Sequence, residues 1–274
     1  MPPYITPVET SETVPASAAV VIIGGGIVGL TAAMTLSERG IPVVVLEKGG
    51  VAGEQSSRNQ GWIRKTSRAP ADVPLAAAAD RLWASMRQRT GSDVGYKESG
   101  ILFLAKTDAD MVPYEAWMHS VASQGLDSRL VTQDEIDQLV PGGQAKWAGG
   151  IYTPSDGRAE PSLAASAIAR AAIAKGAVII ANCAVRSLVR SAGRVTGVVT
   201  ERGEINCDTV LLAGGLWSRR FLGNLGVKLP ILPLTVSVAR TAPMEGPTEI
   251  AVGGADFSFR KRADGGFIVT HRSA

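Results

Sequence analysis

The sequence predicts an α/β chain in which a parallel-sheet domain is interleaved with a smaller α+β domain. Three observations carry this. Residues 18–47 run strand, glycine turn, helix, strand. After residue 150 an alanine-rich helix leads into another short β run, as a parallel sheet resumed after an insertion requires. Three β runs between 185 and 206, separated by SAGR and ERGE, are spaced as a three-stranded antiparallel meander.

The first segment reads AAVVIIGGGIVGLTAAMTLSERGIPVVVLE. Residues 18–23 are apolar and β-branched, the pattern of a strand buried on both faces. Gly24, Gly26 and Gly29 follow in G-x-G-x-x-G spacing. The first permits a tight turn, the second lets a pyrophosphate approach bare backbone, and the third lets the helix pack close to the strand. The helix begins at Ile27 and Val28, so its unpaired N–H groups and positive dipole end face an anion. Gly40 and Pro42 end it, and residues 43–46 form a second strand that stops at Glu47. A carboxylate there accepts ribose hydroxyls and repels a 2′-phosphate. This Rossmann-like context lifts a common motif to a dinucleotide site.

Composition narrows the classes. The chain has 274 residues, 45% hydrophobic and 19% charged, with a net charge of +3. That is a globular composition with no basic block for nucleic acid. Cys183 and Cys207 lack metal-ligand spacing and read as reduced core fillers, consistent with a cytoplasmic protein. Residues 1–17 carry no signal-peptide pattern and are expected to form a flexible lead-in. No apolar run reaches membrane-spanning length.

Residues 48–70 form a loop rich in Gly, Ser and Asn. Helical spacing follows over 74–89, then a glycine-interrupted strand over 96–106 and an amphipathic helix over 110–124. Thr132 and Glu135 make a capping box for a helix ending near Leu139. A strand over 147–153 and a turn at PSDGRAEP lead to the helix over 161–175 and the β run over 178–181. After the meander, residues 209–213 form a buried strand that enters Gly214 and a short helix containing Trp217. Residues 229–241 are extended, and residues 257–262 and 267–270 pair as a hairpin. The expected division is 18–89 plus 151–226 for the nucleotide domain, and 90–150 plus 227–274 for the second, incomplete domain.

An N-terminal βαβ, a meander and a late LLAGGLWS strand together favour FAD over NAD. With GEQSSRNQGWIR and DGRAEP in the same order, the chain resembles the D-amino-acid oxidase, glycine oxidase and sarcosine oxidase family of FAD-dependent amine oxidoreductases. Within it, the chain is most similar to bacterial dehydrogenases acting on secondary amines such as opines or imino acids. The resemblance implies noncovalent FAD. Its pyrophosphate would lie on Gly24, Gly26, Ile27, Val28 and Gly29, and its ribose on Glu47 beside Lys48. Ser57, Asn59, Gln60, Gly61 and Trp62 would run along the pyrophosphate, ribityl chain and flavin edge. Val185 would meet the adenine through its backbone, and Ala213, Gly214 and Trp217 would close in from the other side.

The reaction the resemblance implies is oxidation of a C–N bond in an amino acid or N-substituted amino acid, by hydride transfer to flavin. An arginine suits the substrate carboxylate. Arg64 or Arg68 fits first, Arg240 or Arg260 second. His271 stands where sarcosine oxidases carry a flavin-facing histidine. Phe267 and Ile268 occupy the neighbourhood of their lysine, which favours a dehydrogenase over an oxidase. Relatives of this layout continue past a hairpin of this kind, so the expectation is either a truncated chain or one completed by a partner subunit.

Overall fold

The computed structural model describes residues 4–271. They form two compact units. The first comprises residues 4–59, 89–93 and 161–234, and the second residues 60–88, 94–160 and 235–271.

The first unit is built on a six-stranded sheet. β1 (Ser17–Ile23) lies between the parallel strand β2 (Val43–Leu46) and the long strand Gly203–Leu212. Val178–Ile180 extends the sheet in parallel beyond β2. On the other side Val185–Ser191 and Arg194–Thr200 run antiparallel. The meander is therefore continuous with the parallel sheet. What reads as two β runs, 204–206 and 209–213, is one ten-residue strand. Its first half pairs with Arg194–Thr200 and its second half with β1.

Helix α1 (Ile27–Ser37) follows the glycine turn and packs on the alanine-rich helix Pro161–Ala174, whose small side chains permit close approach. Val21, Val44, Leu46, Ile180, Val198 and Ile205 make the core under the sheet, with Cys183 and Cys207 buried among them. Burial pushes the Cys207 thiol pKa up, so it stays protonated as a packing residue. The lead-in does not stand free. Ser11 N–H donates to Ile179 O at 2.8 Å, and Ser166 Oγ donates to Thr6 O at 2.7 Å. Residues 1–3 of it lie outside the described residues.

The second unit holds a seven-stranded sheet and a small three-stranded one. In the larger sheet Ile101–Ala105 pairs with Gly149–Thr153 on one side and with Ala251–Gly253 on the other. The expected hairpin is present as Phe257–Lys261 against Phe267–His271, with Val238–Arg240 outside it. The smaller sheet joins Trp62–Ile63, Gly157–Arg158 and Lys97–Glu98. These pairings move the expected boundaries. Residues 60–88 and 151–160 belong to the second unit, because their strands pair there. Residues 89–93 belong to the first, where Arg89 donates to Glu38.

Two helices also differ from expectation. The helix expected over 74–89 is Val73–Ala84 followed by Met86–Thr90. The helix expected from 110 begins at Asp108, because Thr107 and Asp110 form a capping box. The box predicted at Thr132 and Glu135 is formed. No helix among the described residues is long and apolar enough to cross a membrane.

Candidate functional site

The site in the first unit is built by the β1–α1 turn. Gly24 has φ +117°, and a Cβ on it would lie 2.4 Å from Ala213 O. A Cβ on Gly29 would lie 2.1 Å from Gly24 O. Glycine is therefore required at both positions, once for conformation and once for helix–strand contact. These approaches set the Gly24 turn against the Ala213-Gly214 turn. Ala213 N–H donates to Ile23 O at 2.8 Å and carries the parallel pairing one residue beyond the strand.

Gly26 is the N-cap of α1 and offers no capping side chain. The first turn carries no acidic residue, and Val28 is exposed. Leu30 N–H, donating to Gly26 O at 2.9 Å, belongs to the first helical turn. Ile27 N–H donates to Ser56 Oγ at 2.9 Å. A positive helix end with no internal carboxylate, on a glycine cradle, fits an anionic diphosphate.

Glu47 directly follows β2 and is buried. One carboxylate oxygen accepts from Gly25 N–H at 2.7 Å and the other from Gly49 N–H at 2.9 Å. Each oxygen keeps further acceptor capacity for a hydroxyl. Cys183 N–H donates to Glu47 O, which ties the acid to the segment leading into Val185. Lys48 places its ammonium 4.5 Å from the Trp217 ring centroid and pairs with Glu54 at 2.7 Å. That pairing lowers the Glu54 pKa. Lys48 and Trp217, read separately from the sequence, thus form one feature.

Of the two adjacent serines, it is Ser56 whose hydroxyl meets the glycine turn. Ser57 Oγ turns away to Glu54 O at 3.2 Å, while Ser56 Oγ faces Gly26 and Ile27. Residues 55–57 form a 3-10 turn, which decides which of two adjacent hydroxyls points at the glycines. Sequence alone offered no signal to separate them. Asn59 closes the same turn by donating to Gln55 O and Ser56 O.

Gln60, Gly61 and Trp62 lie in the second unit. Gln60 Nε2 donates to Ser258 Oγ at 2.6 Å and to Thr270 Oγ1 at 3.0 Å. Gly61 has φ +71°, and its carbonyl accepts from Ala159 N–H at 2.8 Å. Trp62 meets Phe103 edge to face, with centroids 5.5 Å apart. Arg64 is half-buried, donates to Thr66 O, and holds its guanidinium 5.5 Å from the Phe103 centroid. His271 is exposed at the end of its strand. Arg68 is exposed, with its carbonyl held by Trp117 Nε1 at 2.7 Å. Arg240 is exposed, 3.7 Å from Asp264. Arg260 is fully buried and occupied by Glu160, which removes it as a substrate anchor.

A second buried polar cluster was not anticipated from the sequence. Lys65 Nζ donates to Asp80 at 2.6 Å and lies 3.3 Å from Asp156. Asp156 also accepts from Lys65 N–H at 2.8 Å and from the Thr66 hydroxyl. Burial raises the Asp156 pKa despite these donors. For Lys65 burial acts downward, but the two carboxylates outweigh it and the net shift is upward.

The first unit is thus a dinucleotide-binding α/β module of the kind that carries an adenine-containing cofactor. The family described as FAD dependent oxidoreductase, DAO, matches residues 19–273, and the chain belongs to it. It is similar to 4-methylaminobutanoate oxidase (formaldehyde-forming) of Paenarthrobacter nicotinovorans, with 31% identity over 238 residues, covering 86% of this chain and 29% of the relative. It is also similar to sarcosine oxidase subunit beta of an Arthrobacter species, with 32% identity, covering 77% and 54%. The structure of L-amino acid deaminase from Proteus myxofaciens superposes with a TM-score of 0.92 at 34% identity, covering 97% of this chain and 61% of that one. The chain therefore spans less than two thirds of the length of each of these relatives.

Proposed function

We propose that the chain is the cofactor-binding and substrate-recognising part of an FAD-dependent oxidoreductase that oxidises a C–N bond of an amino acid or N-substituted amino acid. The glycine turn carries this reading: its backbone approaches at Gly24 and Gly29 admit no side chain, and it opens an acid-free helix end. When bound, FAD supplies the hydride acceptor. Gly26, Ile27 and Ser56 would hold the diphosphate through backbone and hydroxyl groups, and Glu47 would hold a ribose. Trp217 and Lys48 would border the cofactor. Arg64 orients a substrate carboxylate with its planar donor fork. FAD is held noncovalently, and the substrate is an opine, an imino acid or a D-amino acid.

The visible spectrum of the purified protein tests the reading. A flavin spectrum, with yellow colour released into solution on acid precipitation, is expected. A colourless protein that FAD cannot reconstitute would sink it.

A second reading is that turnover needs a further polypeptide. In the first unit Leu232 and Leu234 are each 78% exposed, and Val227 just before them is exposed too. Apolar surface of this density is normally covered. Steady amine oxidation by the 274-residue chain alone with an artificial electron acceptor would reject that reading.

A further inference from the structure

We infer that Asp156 is the positioning residue for Arg64: its buried carboxylate holds the turn that carries an acceptor of the Arg64 guanidinium. This deepens the reading of Arg64 as the anchor of a substrate carboxylate and rests on it. All the residues involved belong to the second unit.

Strand pairing brings the two residues together. Ile63 lies opposite Gly157 in the small sheet, so one further step along the register sets Arg64 opposite Asp156. The Asp156 side chain is fully buried and turns to the backbone that follows Arg64. Oδ1 accepts from Lys65 N–H at 2.8 Å and lies 3.3 Å from the Lys65 ammonium. Oδ2 accepts from Thr66 N–H at 3.2 Å and from the Thr66 hydroxyl. An ionised carboxylate has about four acceptor positions, and these donors fill them. Lys65, which also donates to Asp80 and to Ser155 O, is the cation that balances the charge.

The backbone held in this way is strained. Arg68 N–H donates to Lys65 O at 3.3 Å and closes a turn over residues 65–68. Its third residue, Ser67, has φ +53°, a left-handed position that glycine normally takes. Such a conformation persists only where its surroundings over-determine it. Asp156 supplies that constraint by holding the N–H groups of the first two turn residues. Thr66 O belongs to the same turn and accepts from Arg64 Nη1. The chain from carboxylate to peptide to carbonyl to guanidinium is continuous, so a shift of the first link moves the last. A planar donor fork serves a carboxylate only when its orientation is fixed.

Acetate, the simplest carboxylate, tests this on the full chain loaded with FAD and carrying isotope-labelled arginine. The Arg64 Nε–H nuclear magnetic resonance signal is identified by its loss in Arg64→Lys. Acetate should shift that signal saturably. Asp156→Asn should weaken the binding by at least about threefold, as release of a positioned group requires. The amide has one acceptor oxygen, so one of the two backbone donors loses its partner. The signal of the exposed Arg81 is the control and should respond alike in both proteins. Thr66→Val, which removes only the hydroxyl donor, should weaken acetate in the same direction and decides the matter if Asp156→Asn fails to fold. A merely structural role for Asp156 lowers the urea midpoint but leaves the acetate dissociation constant at Arg64 unchanged, and that result would overturn the inference. No response of Arg64 to acetate in the unaltered chain would overturn the reading of Arg64 as the anchor, and the inference with it. Flavin absorbance, followed separately, reports on the flavoprotein reading.

Discussion

Arg260 is completely buried and grips Glu160 with two prongs, Nη1 to Oε1 at 2.7 Å and Nη2 to Oε2 at 3.1 Å. Glu160 also accepts from Arg158 at 3.0 Å and from Ala263 N–H at 2.9 Å, and Arg260 Nε donates to Gln60 O. The pair therefore fixes the backbone of the Gln60–Trp62 segment against the hairpin. Gln60 reinforces this from its side chain through Ser258 and Thr270. Because one buried carboxylate serves both Arg260 and Arg158, Glu160→Gln removes the counter-charge that the two guanidiniums share. The expected cost is about 3–5 kcal/mol, read as a lower urea midpoint. Glu201→Gln, which breaks the exposed pair with Arg186, should leave the midpoint unchanged.

Gly29→Ala should cost about 1–3 kcal/mol through overpacking, because the atom 2.1 Å from the new Cβ is the Gly24 carbonyl rather than a movable side chain. The same substitution should lower the FAD content of the purified protein, since α1 can only relieve the clash by moving off the turn. The ratio of flavin to protein absorbance measures this. Gly40→Ala is the control. Gly40 has φ +72° with nothing within 4 Å of a Cβ, so the substitution strains the backbone without disturbing the cradle, and FAD content should stay at the wild-type level.

Glu47→Gln should weaken FAD binding by about tenfold or more, since a charged acceptor that holds backbone donors contributes more than a neutral one. The amide has one acceptor oxygen where the carboxylate has two, and both carboxylate oxygens are in use, on Gly25 and Gly49. One of those N–H groups would then face an NH₂ group. Fluorescence titration of the apoprotein with FAD gives the ratio of dissociation constants, and an unchanged value would remove Glu47 from the site.

The strand, turn and helix around Gly24 were legible because each step is local: β-branched residues, glycine spacing, then an acid at the strand tip. The capping box at Thr132 and Glu135 was legible for the same reason. Its counterpart at Thr107 was not, because Asp110 replaces the usual Glu or Gln and the helix therefore read as starting at Asp110. The strand Ala251–Gly253 is too short to show a period and exists through pairing with Ile101–Phe103, some 150 residues away in sequence. The same distance problem hid the partner of Arg260, which lies 100 residues earlier. At Ser56 and Ser57 the sequence cannot tell which hydroxyl meets the glycine turn, because backbone torsion decides it.

The pH dependence of stability follows from Asp156. Burial holds its folded-state pKa above the ordinary 3.8, even though Lys65 and Thr66 act to lower it. A carboxyl raised in the folded state binds its proton more tightly there than in the unfolded chain. The stability it contributes is therefore full below 3.8 and is lost as pH rises through the folded value. Asp156→Asn keeps the shape of the protonated acid and cannot ionise. The stability of wild type minus that of Asp156→Asn should fall as pH rises from below 3.8 towards neutrality, then level off once both states are ionised. Urea unfolding of both proteins across that range measures the difference. A difference that grows with pH would mean that the charge on Lys65 outweighs burial, and that Asp156 is an ionised partner of the lysine with a lowered pKa.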